Sequence, residues 1–508
     1  MRKSVLALMA LAMMPSAARA DWVEASSDHF VIYADDKPAD VEKFARQLEA
    51  YHSAMEFATG RKTGKPSPSS RVTVYVVDSR RDVQALMGTK NKLIGGFYRP
   101  LAQGSIAVVP DIKKSRSNEL SDSLRTLLHE YAHHFAWSQS DFPMPRWMSE
   151  GSAEFYSSAN FLADGVVSIG RPANHRAYEL HLAEDVNSEE MLDPEVYEKT
   201  RSKRYDAFYG KSWALFHMLM FMPERKGQFD AYFKAMTAGK SSREAALAAF
   251  GSFDDLDKDL AAYLRRKRMT TMQLPARVLP TGPVVLRELT PGEQAMMPVR
   301  LEAKTGVNRE EALELVVKAR AIAALYPNNA AVQALLAENE YDAGNDEAAI
   351  AAADRAIALD PTQVNAYVQK GYALFRRAED ADDPKAAYAA ARQPFIALNR
   401  LENDHPLPLI YFYRSFAEQG LEPSQLAKDG LAYAAVLAPF DQNVKMLLAQ
   451  QQLADGDKAL ARRTLMPIAY NPHDNPMAET AREMIERIDT ELAGGKPLVS
   501  PAPIAASD

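Results

Sequence analysis

His129-Glu130-Tyr131-Ala132-His133-His134-Phe135 lies in a run that is apolar at Leu124, Leu127, Leu128, Phe135 and Trp137 and reads as a long helix beginning near Leu120. Residues four apart on an α-helix stand one turn above each other, so His129 and His133 share a face and their imidazoles can converge on one ion. Glu130, one position past the first histidine, reaches a metal-bound water without itself being a ligand, which suits a general base. Two histidines on a buried helix can be plain core residues, but a charge between them on an otherwise apolar helix then lacks a reason. His134 turns away from the pair and reads as structural.

A catalytic zinc needs a third protein ligand and keeps its fourth position for water. After a turn marked by Pro143 and Pro145, a second helical stretch, Arg146-Trp147-Met148-Ser149-Glu150-Gly151-Ser152-Ala153-Glu154-Phe155, offers Glu150. His-Glu-x-x-His followed by Trp-x-x-Glu-Gly resembles the gluzincin metallopeptidases, the class of thermolysin and the zinc aminopeptidases. The resemblance implies Zn2+, one per chain, held by His129, His133 and Glu150, with Glu130 as base. It implies that Glu154, one turn after Glu150, orients a ligating histidine. Tyr209, in Tyr205-Asp206-Ala207-Phe208-Tyr209-Gly210-Lys211-Ser212, matches by position the tyrosine that stabilises the oxyanion, although Ser212 stands where the family has Gly. Tyr205, one turn earlier, is the alternative.

Upstream, His29–Ala34, Arg71–Val77 and Ser105–Val109 read as strands, with a helix over Ala39–Phe57. In gluzincins the strand before the metal helix forms the upper edge of the cleft and pairs with extended substrate, which gives that role to Ser105, Ile106, Ala107 and Val108; the alternative is an ordinary inner strand. Gly95-Gly96-Phe97 is not the Gly-x-Met-Glu-Asn with which the aminopeptidases grip an amino terminus, so an endopeptidase is the expectation. Downstream, Phe161–Gly170 reads as a hairpin turning at Asp164-Gly165, and helices are expected near 208–222, 228–237, 242–250 and 256–267.

Residues 1–20 read as a secretory signal: Arg2 and Lys3, an apolar run from Val5 to Met14, then Ala18-Arg19-Ala20 for cleavage. No later run is apolar enough to span a bilayer. The chain of 508 residues has no Cys, hence no disulfide or lipoprotein anchor, and a formal charge of −7, which becomes −10 when Arg2, Lys3 and Arg19 leave with the signal. No basic stripe supports nucleic-acid binding. The expected location is the periplasm, or secretion.

Beyond a stretch punctuated by Pro275, Pro280, Pro283, Pro291 and Pro298, Ala-rich helical segments each end in a proline, Pro327, Pro361, Pro406, Pro439 and Pro472. A spacing near 34 residues resembles tetratricopeptide repeats, helix-turn-helix units that stack to bury their core and present a groove for peptides or proteins. The 45 residues between Pro361 and Pro406 point to a longer inter-helix turn at Ala378–Pro384. The fold expected is an α+β zincin-like catalytic domain (21–270), a Pro-rich linker or small extension (271–305), an all-α tetratricopeptide-like domain (306–491) and a disordered tail (492–508). The function expected is that of an exported zinc peptidase acting on peptide or protein, with the repeats binding substrate or a partner. Two alternatives stand beside it: a non-catalytic periplasmic scaffold built on the repeats, and a zinc amidase acting on cell-wall peptide.

Overall fold

The computed structural model describes residues 22–89, 91, 95–112, 120–139, 142, 144–200, 205–471 and 476–494. The signal segment 1–20, Pro143 and the tail beyond 494 lie outside them. A six-stranded sheet is ordered β4 (Phe97–Arg99), β5 (Ile106–Pro110), β3 (Val72–Val77), β2 (Phe30–Ala34), β1 (Val23–Ser26) and β9 (Val285–Glu288). Its centre, β2, β3 and β5, is parallel, and β1, β4 and β9 run antiparallel to their neighbours. Alternation along β3 shows why both faces are covered: Val72, Val74 and Val76 join one apolar cluster, Tyr75 and Val77 another.

On the first face lie α1 (Pro38–Thr59) and α3 (Asp122–Gln139); on the second lie α2 (Arg80–Leu86) and α12 (Pro291–Thr305). Helix α3 buries Leu124, Leu127, Leu128, Tyr131 and Phe135 against sheet and α1, and Tyr51 of α1 donates to the Leu128 carbonyl at 3.0 Å. Next to α3 runs α4 (Arg146–Ser157). A small second sheet, β6 (Asn160–Phe161), β7 (Val167–Ile169) and β8 (Met272–Leu274), contains the expected hairpin, with Asp164 in the left-handed region at φ 57°. Helices α5 (Ala177–Leu182), α6 (Ser188–Leu192), α7 (Pro194–Thr200), α8 (Phe208–Phe221), α9 (Gln228–Thr237), α10 (Ser242–Phe250) and α11 (Phe253–Leu264) complete this region.

The array continues from α12 through α13 (Arg309–Leu325), α14 (Ala330–Asp342), α15 (Asp346–Leu359), α16 (Val364–Glu379), α17 (Pro384–Leu401), α18 (Pro406–Ala417), α19 (Gln425–Leu437), α20 (Gln442–Ala454), α21 (Lys458–Ala469) and α22 (Pro476–Leu492). Alanines 337, 349, 352, 353 and 356 are fully buried where α14 meets α15, so small side chains set the close approach. The long unit is long in its helices, 16 residues in α16 and 18 in α17, rather than in the turn between them.

Two expectations need correction. The strand carrying Ser105, Ile106, Ala107 and Val108 is not an edge: β5 sits between β3 and β4, with Ser105 just before it, so its backbone is spent on neighbours and the edge is β4. Of the two readings of residues 271–305, the small packed extension stands and the linker does not. These residues give β8 to one sheet, β9 to the other and α12 to both sheet and array; Pro291 starts α12 behind a Thr290/Glu293 capping box, where a missing N–H costs nothing.

Sheet and array are closely joined. The β4–β5 turn enters the array, where the Ala102 N–H donates to Asp441 Oδ2 at 2.7 Å and the Tyr372 hydroxyl donates to Gln103 Oε1 at 2.9 Å. Glu402 accepts from the Ser69 N–H and hydroxyl, each at 2.9 Å, and Trp137 of α3 packs on the array's apolar cluster. Among the described residues no helix is long and apolar enough to cross a membrane.

Candidate metal centre

Helix α3 brings His129 and His133 to one side, and α4 places Glu150 against them. The ligand atoms stand close together: His129 Nε2 to His133 Nε2 is 3.1 Å, His129 Nε2 to Glu150 Oε2 is 3.2 Å, and His133 Nε2 to Glu150 Oε2 is 3.6 Å. Tetrahedral zinc with bonds near 2.0–2.1 Å spaces its ligand atoms by about 3.3 Å, so these three form a face of the required size. Among the described residues no other group of three or more His, Cys, Asp or Glu has this convergence.

The surroundings fix which nitrogens point inward. His133 Nδ1 is 3.1 Å from Ser149 Oγ, and His129 Nδ1 is 3.2 Å from Glu154 Oε1, so each imidazole directs Nε2 to the common point. Glu150 is fully buried, and neither of its oxygens has a hydrogen-bond partner. A buried carboxylate needs a positive partner, here the two imidazoles 3.2 and 3.6 Å away, and a divalent ion fits both the space and the donor set in their midst.

Electrostatics follow this packing. Burial alone would suppress the charge on His129, yet Glu150 and Glu154 flank it and hold its pKa up to about 10. Burial pushes the Glu150 carboxyl up, and the two imidazoles more than reverse this, leaving it well below the usual range. Glu154 is likewise depressed despite burial: His129 and His175 hydrogen-bond to it, His175 Nε2 at 2.6 Å, and Arg176 donates at 2.5 Å. Arg176 also donates to Glu179 at 3.1 Å, and Glu179 in turn accepts the Gly210 N–H at 2.7 Å. Glu154, expected as the orienting group, thus stands in a chain of charges that ties α4 to the start of α8.

Glu130 is half-buried on α3, beside β4, where its charge acts on Tyr98. His134, one turn after Glu130 on the same side of α3, is buried 2.5 Å from the Tyr98 hydroxyl, with its ring 4.5 Å from Phe440 of the array; burial holds its pKa down to about 3, so it stays neutral and structural. Tyr209, at the start of α8, lies near enough to the triad to feel its charge: burial and Glu150 push its pKa up to about 12 against the pull of Arg146, which keeps the hydroxyl protonated. Tyr205, the alternative, is 60% exposed and donates to Glu179 at 3.1 Å.

Gly151 explains how α4 and α8 come so close. A Cβ there would lie 2.5 Å from the Ser212 carbonyl oxygen, inside any tolerable contact. Sequence spacing does not single out Ser149, His175, Arg176 or Arg146 as part of the site. Ser149 lies next to Glu150 and four before Ala153 on a buried face, a legible position; His175 and Arg176 sit in a single 3-10 turn, Asn174–Arg176, too short to show a period.

No protein-family model matches the sequence, and no curated protein does. Solved structures similar to the chain include a thermophilic TPR protein from Thermus thermophilus, at 14% identity and TM-score 0.34, covering 38% of this chain and 99% of that one. The MamA protein aligns at 17% identity and TM-score 0.26, over 41% and 98%. Yeast Tom70 aligns at 14% and 0.28, over 73% and 75%. At such scores none of the three defines a family for this chain.

Proposed function

We propose that the chain is an exported zinc-dependent peptidase, most simply an endopeptidase. The observation that carries this is the convergence of His129, His133 and the fully buried Glu150 around a point of zinc size. Zinc bound there would supply an activated water and a Lewis acid for the scissile carbonyl. Glu130 takes the proton from the attacking water and returns it to the leaving amine. The protonated Tyr209 hydroxyl donates to the oxyanion, and Glu154 with Ser149 keeps both imidazoles in the ligating tautomer. The edge strand β4, next to Glu130, offers main-chain groups to an extended peptide, the role first given to β5.

The experiment is the zinc content of the full chain beside His133→Ala and Glu150→Ala, with casein hydrolysis as a second readout. One zinc per chain in the parent, sharply less in both variants, and cleavage by the parent alone are expected. The extent of the array, from Pro291 to Leu492, favours a second reading, a scaffold that binds a protein partner. Zinc binding without cleavage of casein or of cell-wall peptide would select it; cleavage of the latter only would select the amidase.

A further inference from the structure

Arg146 opens α4 one turn before Glu150. Its guanidinium carbon lies 4.7 Å from the ring centre of Phe208, 5.3 Å from Tyr197 and 5.9 Å from Tyr209. Those rings wall the cation, and the polar edge of a stacked guanidinium stays available for hydrogen bonding. Among the described residues no carboxylate stands within ion-pair distance of it; Glu150 acts on it through its charge, the Tyr209 side chain hydrogen-bonds to it, and Nε is buried with no hydrogen-bond partner. Arg176 makes the contrast. It lies 4.7 Å from the Tyr209 ring on its own account, but its arms are spent on Glu154 and Glu179.

A half-buried guanidinium without a counter-ion is expensive, and the planar fork it offers matches a carboxylate. One helical turn, about 5.4 Å, separates Arg146 from the ligand Glu150 along α4. An extended peptide covers about that distance in one to two residues. We propose that Arg146 binds a substrate carboxylate within a residue or two of the bond cleaved, so that the chain acts on peptides that are acidic at that point or that end there. This rests on the peptidase reading above and gives it a substrate class.

Two pairs of quenched fluorescent peptides test it on the zinc-loaded full chain. In one pair the residue after the scissile bond carries a free terminal carboxylate or an amide; in the other, an internal residue at that place is Glu or Gln. The parent should favour the carboxylate member of one pair by tenfold or more in kcat/KM, and the pair that responds identifies the source. Arg146→Gln should bring that ratio near one, chiefly through KM, and Arg146→Lys should keep part of it. Equal cleavage of both members of both pairs by the parent, or an unchanged preference in an Arg146→Gln chain with full zinc content, overturns the proposal while leaving the peptidase reading intact. A parent that binds no zinc overturns both.

Discussion

In the array, the buried carboxylate of Glu338 is met by Lys304 at 2.5 Å and by the Asn365 amide at 2.9 Å; beside α3, the still more deeply buried carboxylate of Glu150 meets two imidazoles. Arg376 and Asp346, or Arg320 and Glu340, repeat the array's pattern, each charge closed by a partner on another helix. The same cost of burying charge is thus met in two ways. In the array it is settled within the chain and fixes how helices stack. At α3 and α4 it is left open toward a common point, and that opening is where chemistry can occur.

The largest test of this contrast removes the base and keeps the opening. Glu130→Gln should retain zinc and lower casein hydrolysis by about 10²–10⁴-fold, the range of general-base catalysis; an unaltered rate would break the assignment. Next, Glu154→Gln should weaken zinc binding by about 10–100-fold, measured by competition with a chelator, because His129 loses the group that orients it. If affinity is unchanged, the chain of charges behind the site serves packing alone. Across the junction, Asp441→Ala removes both the cap of α20 and the acceptor for the Ala102 N–H, and should cost about 1–3 kcal/mol in denaturant unfolding.

The smallest effect lies within the array. Burial, helped by the Glu338 charge, raises the Asp342 carboxyl from 3.8 to about 7. A raised carboxyl favours folding below its unfolded pKa, so this contribution is lost as pH climbs through about 7. Asp342→Asn should remove that slope and gain about 1–2 kcal/mol at pH 8 once solvent screening is allowed for. Melting curves between pH 4 and 8 with identical slopes in both chains would show that Asp342 does not titrate in this window.

Much of the site could be read from local spacing, because a helix converts i, i+4 into one face: His129 with His133, and Glu150 with Glu154. What could not be read depends on which elements lie side by side. The β4–β5 order was misjudged although the unbroken apolar run Ile106–Val109 is itself the mark of a strand covered on both faces. Arg176 reaches Glu154 from a short 3-10 turn 22 residues on, and no period announces such a contact. The prolines of 271–305 suggested a break in structure; the Thr290/Glu293 box beside Pro291 was the better signal, since it marks a helix start.

The pairing of β1 with β9 and the seating of Ala102 on Asp441 carry a consequence for how the molecule is made. The first strand emerges early in synthesis, but its outer neighbour follows roughly 260 residues later, and the acceptor for Ala102 later still. At about 5–20 residues per second, the nascent sheet keeps a bare edge for tens of seconds. During that interval α3 has no array to cover Trp137, and the half-built sheet exposes an unpaired strand edge to other chains. The chain therefore gains its full cooperativity only when its last third arrives, and truncation from the C-terminus should yield aggregation rather than a free-standing sheet.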